Sequence, residues 1–73
     1  VEPGENPLTW EDSYAIARAL AELHPDENLE NVSLMAIYHW TLVLPNFMDD
    51  PELANDEILA AIYTEWYEEV IKL

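Results

Sequence analysis

The chain has 73 residues, enough for one domain and not two. Its 16 Asp and Glu against 2 Lys and Arg leave a formal charge of −14, about one net negative charge for every five residues. That balance excludes a nucleic-acid binder, which needs a basic surface to neutralise phosphates, and disfavours anionic lipid headgroups. The partners it fits are cations and basic protein surfaces. Acidity here does not predict disorder, because 51% of residues are apolar and three Trp, four Tyr and one Phe supply large surfaces to bury. Without Cys there is no disulfide, thiolate metal site or thiol nucleophile. No apolar run approaches the ~18 residues of a membrane span, and no Arg-rich presequence or signal peptide is visible.

Residues 1–8, with Pro3, Gly4 and Pro7, read as a tail, and 9–73 as a single helical domain. The first predicted helix runs from Trp10 to Leu23. Thr9 is its N-cap, Asp12 completes a capping-box-like pairing, and Glu11 and Asp12 suit the positive end of the dipole. Trp10, Ile16, Ala17, Leu20 and Leu23 share its inner face, and Pro25 ends it at His24. Residues 24–33 form a connector with Leu29 and Val32 as core plugs and Asp26, Glu27 and Glu30 exposed.

The second helix is predicted over Leu34–Leu44, capped by Ser33 and stopped by Pro45. Leu34, Ile37, Trp40, Thr41 and Leu44 form one face. The opposite face, Met35, Ala36, His39, Leu42 and Val43, is also largely apolar, so this helix is either central or covered. A second connector, 45–52, carries Phe47 as its anchor. The third helix starts after Asn55, with Asp56 and Glu57 in its first turn, a stripe of Leu59, Ile62, Tyr63, Trp66 and Val70, and Lys72 at its negative end. No strand is predicted.

No catalytic constellation stands out. Ser13 has no His placed by sequence to activate it, and one Gly, in the tail, leaves no phosphate-cradling loop. His24 and His39 fall in different elements with no His or Cys at helical spacing, so they read as ordinary surface or partly covered residues, and zinc is the weaker alternative. Trp10, Trp40 and Trp66 read as core aromatics. Two acidic clusters carry the candidate chemistry. Glu22, Asp26, Glu27 and Glu30 form one. Asp49, Asp50, Glu52, Asp56 and Glu57 form the other. Several carboxylate oxygens suit Ca²⁺, Mg²⁺, Mn²⁺ or Fe²⁺. The order of an EF-hand loop is absent. The plainer reading of both clusters is a solvated acidic face that compensates helix dipoles, and any metal site built from them is open, weak and completed by water.

A set of short motifs adds a further reading. "WEDS" at 10–13, Pro25-Asp26, Val32, Trp40, Leu44, Phe47 before Asp49-Asp50-Pro51, and "NDEILAAI" at 55–62 followed by Trp66 and Glu69 occur in an order and spacing that resemble the IscX (YfhJ) family. These are small acidic proteins of the bacterial iron–sulfur cluster assembly operon, and the resemblance runs without a gap from Leu8 to Glu69. It implies an all-α, three-helix fold similar to a modified winged helix, no enzymatic activity and a cytoplasmic location. It also implies docking on a cysteine desulfurase in competition with frataxin, and weak, transient iron(II) binding. Glu22, Asp26, Glu27, Glu30, Asp49 and Asp50 are the expected docking residues. Asp49, Asp50, Glu52, Asp56 and Glu57 are the expected iron ligands. Three departures bear on this: Met48 stands where family members carry a further Asp, Ala36 and Val43 stand where acids are frequent, and Met35 stands where a polar residue is common. The rival reading, from a different class, is a helical interaction module that pairs with itself or with another helix through the apolar outer face of the second helix, with acidity serving solubility; a monomer is expected, with self-association through that face as the alternative.

Overall fold

The structure, a computed structural model, describes residues 7–71. The tail up to residue 6 and the expected role of Lys72 lie outside the described residues. Among the described residues there are three α-helices: α1 Ser13–Leu23, α2 Leu34–Leu42 and α3 Asp56–Ile71. Short 3₁₀ turns, Leu29–Asn31 and Pro51–Leu53, lie in the two connectors. The fold is all-α, and the one piece of extended pairing among the described residues is an isolated parallel bridge between Leu8 and Phe47.

α1 begins three residues later than predicted. Asp12 does turn its carboxylate back to Thr9, accepting from the Thr9 N–H at 2.9 Å and the hydroxyl at 3.3 Å. Thr9 does not return the favour, and residues 10–11 form a turn that puts Trp10 outside the helix. The other caps form as predicted. The Ser33 hydroxyl accepts from the Ala36 N–H at 3.1 Å, and Asn55 Oδ1 accepts from the Ile58 N–H at 2.8 Å. α2 ends two residues before Leu44, whose N–H bonds to the Thr41 carbonyl at 3.1 Å as the chain tightens toward Pro45.

α1 packs chiefly on α3, α2 packs on α3 less extensively, and α1 and α2 barely meet. The core joins Ile16, Ala17 and Leu20 of α1, Ile37 of α2, and Leu59, Ile62 and Trp66 of α3. Leu8, Trp10, Leu29 and Leu44, all outside the helices, complete it. Leu8 therefore belongs to the folded body rather than to the tail. Its N–H donates to the Asn46 carbonyl and its carbonyl accepts from the Met48 N–H, both at 2.8 Å. Leu23 and Val70, expected on inner faces, are more than half exposed. Each lies in the last turn of its helix. The body is only 16 Å through its shortest Cα dimension, little more than one helix diameter of about 10–12 Å, so helix ends find few neighbours.

Candidate functional site: two acidic connectors

The first acidic cluster starts at Glu22 in the last turn of α1 and continues at Asp26, Glu27 and Glu30 in the connector after it. His24 closes that helix by donating its N–H to the Leu20 carbonyl, and its ring stacks on Trp40 with centroids 4.2 Å apart. Trp40 in turn meets Trp66 edge-on at 6.0 Å. His24 is thus part of an aromatic cluster, which its sequence position did not reveal. Downstream, Asn28 Oδ1 accepts from the Glu30 N–H at 3.0 Å and shapes the 3₁₀ turn. Leu29 plugs the core, and its carbonyl accepts from the Tyr63 hydroxyl at 3.0 Å, which ties the connector to α3. With Leu29 turned inward, Glu22, Asp26, Glu27 and Glu30 are left exposed. The carboxylates of Asp26, Glu27 and Glu30 make no hydrogen bond or ion pair among the described residues.

The second cluster is built differently. Asp49 accepts from the Trp10 N–H at 3.0 Å with Oδ2 and from the Asp50 N–H at 2.7 Å with Oδ1. Asp50 caps the Pro51–Leu53 turn by accepting from the Glu52 N–H at 2.9 Å, and its carbonyl accepts from the Trp10 indole at 2.8 Å. Trp10 is almost fully buried, edge-on to Phe47 at 4.7 Å and stacked with Tyr38 at 6.1 Å. The Asp49-Asp50 pair is therefore a clamp that fastens the segment entering α1 onto the second connector. Glu52, Asp56 and Glu57 are exposed.

The one Arg stands on α1 one turn before Glu22 of the first cluster, whose charge it feels. Arg18 sits 3.9 Å from a Glu69 oxygen and 6.0 Å above the Tyr14 ring, and a hydrogen bond with Tyr14, then the charges of Tyr14 and Glu69, push its pKa up from the ordinary value. Among the described residues no cation is paired with Asp26, Glu27 or Glu30 or with the carboxylates of the second connector.

Iron ligation by Asp49, Asp50, Glu52, Asp56 and Glu57 can be tested against this arrangement. Among the described residues no three or more His, Cys, Asp or Glu side chains converge to hold a metal ion. Both Asp49 oxygens and one Asp50 oxygen are engaged with backbone amides. The set does not fit a preformed metal centre. His24 and His39 are likewise not gathered with other ligands.

One feature of the surface was not legible beforehand. A groove of about 430 Å³ opens between the outer side of α2 and the turn entering α3, lined by Met35, Tyr38, Pro51, Glu52, Asp56 and Leu59 among others.

A family described as iron-sulphur cluster assembly matches residues 8–71. The chain belongs to that family, IscX. The match begins at Leu8, the first core residue, and runs past Glu69 to the end of α3. The chain is also 36% identical over 62 residues to an uncharacterized protein of Pseudomonas aeruginosa, covering 85% of this chain and 94% of that protein. Membership ties the chain to iron–sulfur cluster assembly. No described helix is long and apolar enough to cross a membrane.

Proposed function

We propose that this IscX-family protein is a non-enzymatic adaptor of iron–sulfur cluster assembly, docking on a basic patch of a cysteine desulfurase and competing there with frataxin. The observation that supports the reading is the run of exposed carboxylates at Glu22, Asp26, Glu27 and Glu30, the first on the last turn of α1 and the other three on a well-anchored connector, where Asp26, Glu27 and Glu30 are paired to no cation among the described residues. Such groups keep their full field and steer association. Asp50 adds an exposed carboxylate from the second connector, while Asp49 acts chiefly by holding that connector in place.

The test is association kinetics with a desulfurase of the iron–sulfur system at low and near-physiological salt. Screening over a Debye length of ~8–10 Å should slow association steeply. Reversing Glu27 and Glu30 to Lys should lower the on-rate by about tenfold with little change in the off-rate. An on-rate indifferent to both salt and these reversals would sink the reading.

Iron(II) enters this proposal as weakly held cargo and not as a resident cofactor. Its contacts fall to the unengaged oxygens of Asp50, Glu52, Asp56 and Glu57, with water completing the shell. A rise in melting temperature at millimolar Fe²⁺ or Mn²⁺, removed by Glu52→Gln with Asp56→Asn, would support it; no rise in the parent protein would end it.

Self-pairing through α2 has one observation in its favour: Met35 and Val43 are largely exposed. Leu42, by contrast, packs partly on the core, so Val43→Glu is the cleaner probe. A monomer at high concentration, unchanged by that substitution, would rule self-pairing out.

A further inference from the structure

The groove beside α2 uses none of the first-connector carboxylates and stands without the desulfurase reading. Its floor is Leu59, with Tyr38 half-buried beside it. Its walls are Pro51 and the Met35 side chain, which is 59% exposed although flexible and apolar. Glu52 and Asp56, both exposed, stand on its rim. Asn55, also at the rim, has its side-chain oxygen engaged with the Ile58 N–H. The floor therefore selects for an apolar side chain and the rim for positive charge.

We propose that this groove docks a short basic segment of a partner protein, seating one or two apolar side chains on Tyr38 and Leu59 and placing Lys or Arg against Glu52 and Asp56. Charge complementarity decides the occupant. A second copy of the chain brings another −14, and its one Arg is already against Glu69. Nucleic acid and anionic lipid are repelled by the same field. A basic peptide with an apolar anchor matches floor and rim together, and Met35 can adjust to the shape of the anchor.

The experiment is an amide chemical-shift titration of the full chain with synthetic peptides carrying two lysines on each side of a central Leu-Leu, Ile-Ile or Phe-Phe pair. Peptides with Ser-Ser at the centre and the same charge serve as controls. Saturable shifts centred on Met35, Tyr38 and Leu59 are expected, with apolar-centred peptides binding about tenfold more tightly than the Ser-Ser controls. Met35→Ser should weaken binding about fivefold. Glu52→Gln with Asp56→Asn should weaken it similarly and flatten its salt dependence. Met35→Lys, which sets a like charge at the groove mouth, is the second variant and should abolish binding. The proposal is overturned if no peptide of the panel binds saturably at low salt, if the Ser-Ser controls bind equally well, or if the shifts fall on Glu22–Glu30 instead. Because no desulfurase is present, these outcomes are separate from those that would sink the adaptor reading.

Discussion

Replacing Asp49 by Ala separates what this residue does for the fold from what it contributes to docking. The carboxylate accepts two backbone amides, from Trp10 at 3.0 Å in a partly buried setting and from Asp50 at 2.7 Å in an exposed one. A hydrogen bond to a charged group contributes about 1.5–3 kcal/mol, and the exposed one is discounted because water replaces it readily. Assigning about 2 kcal/mol to the first and about 0.5–1 to the second gives a loss of about 2.5–3 kcal/mol. Chains of this length have total stabilities of about 4–11 kcal/mol, so that loss is a large share of the whole. For a domain of this size it lowers Tm by about 10–20 °C. Asp49→Asn keeps one acceptor oxygen and should lose about half as much. The assay is a thermal melt followed by far-UV circular dichroism and by the near-UV Trp signal, which reports the environment of Trp10. Glu27→Lys, at an exposed site with no bonded carboxylate, should stay within about 0.5 kcal/mol of the parent. A drop below about 3 °C for Asp49→Ala would refute the clamp. A large drop would mean that weakened docking by Asp49 variants cannot be read as lost steering until folding has been restored.

Three further outcomes follow from the same structure. The Thr41 hydroxyl is fully buried with no partner among the described residues, so the near-isosteric Thr41→Val should raise stability by about 1 kcal/mol in a denaturant titration; an unchanged or lower midpoint would count against an unsatisfied hydroxyl. Trp10→Phe keeps an aromatic ring against Phe47 but removes the indole donor to the Asp50 carbonyl at 2.8 Å, and should cost about 1–2 kcal/mol in the same titration. With a net charge of −14 and one Arg–Glu contact among the described residues, added NaCl at pH 7 should raise Tm by screening repulsion. A Tm independent of salt would contradict that.

The helices themselves were largely legible. Ser33 and Asn55 cap α2 and α3 as their chemistry predicts, because a cap depends on residues within one turn of each other. The apolar spacing of Ile16, Ala17 and Leu20, and of Leu59, Ile62 and Trp66, likewise picked out the faces that are buried. The start of α1 was misplaced because Trp10 has partners 39 and 40 residues away, and that distant clamp outweighs the local capping signal. The exposure of Leu23 and Val70 was missed for a related reason: helical spacing tells which face a residue is on but not whether a neighbour reaches that far.

The acidic candidates divide along the same line. That the chain is strongly negative, all-helical and of the IscX kind followed from composition, periodicity and the order of short motifs, all of which survive in the one-dimensional string. Which carboxylates are free to act was decided by tertiary structure alone. Glu27 and Asp49 look alike in sequence, yet one points into solvent and the other is taken up by backbone amides of Trp10 and Asp50. The groove joining Met35 to Glu52 and Asp56 exists because Leu59 and Ile37 pack in a common core and draw α2 beside the start of α3. A side chain's availability depends on what folding brings next to it, and local pattern carries no record of that.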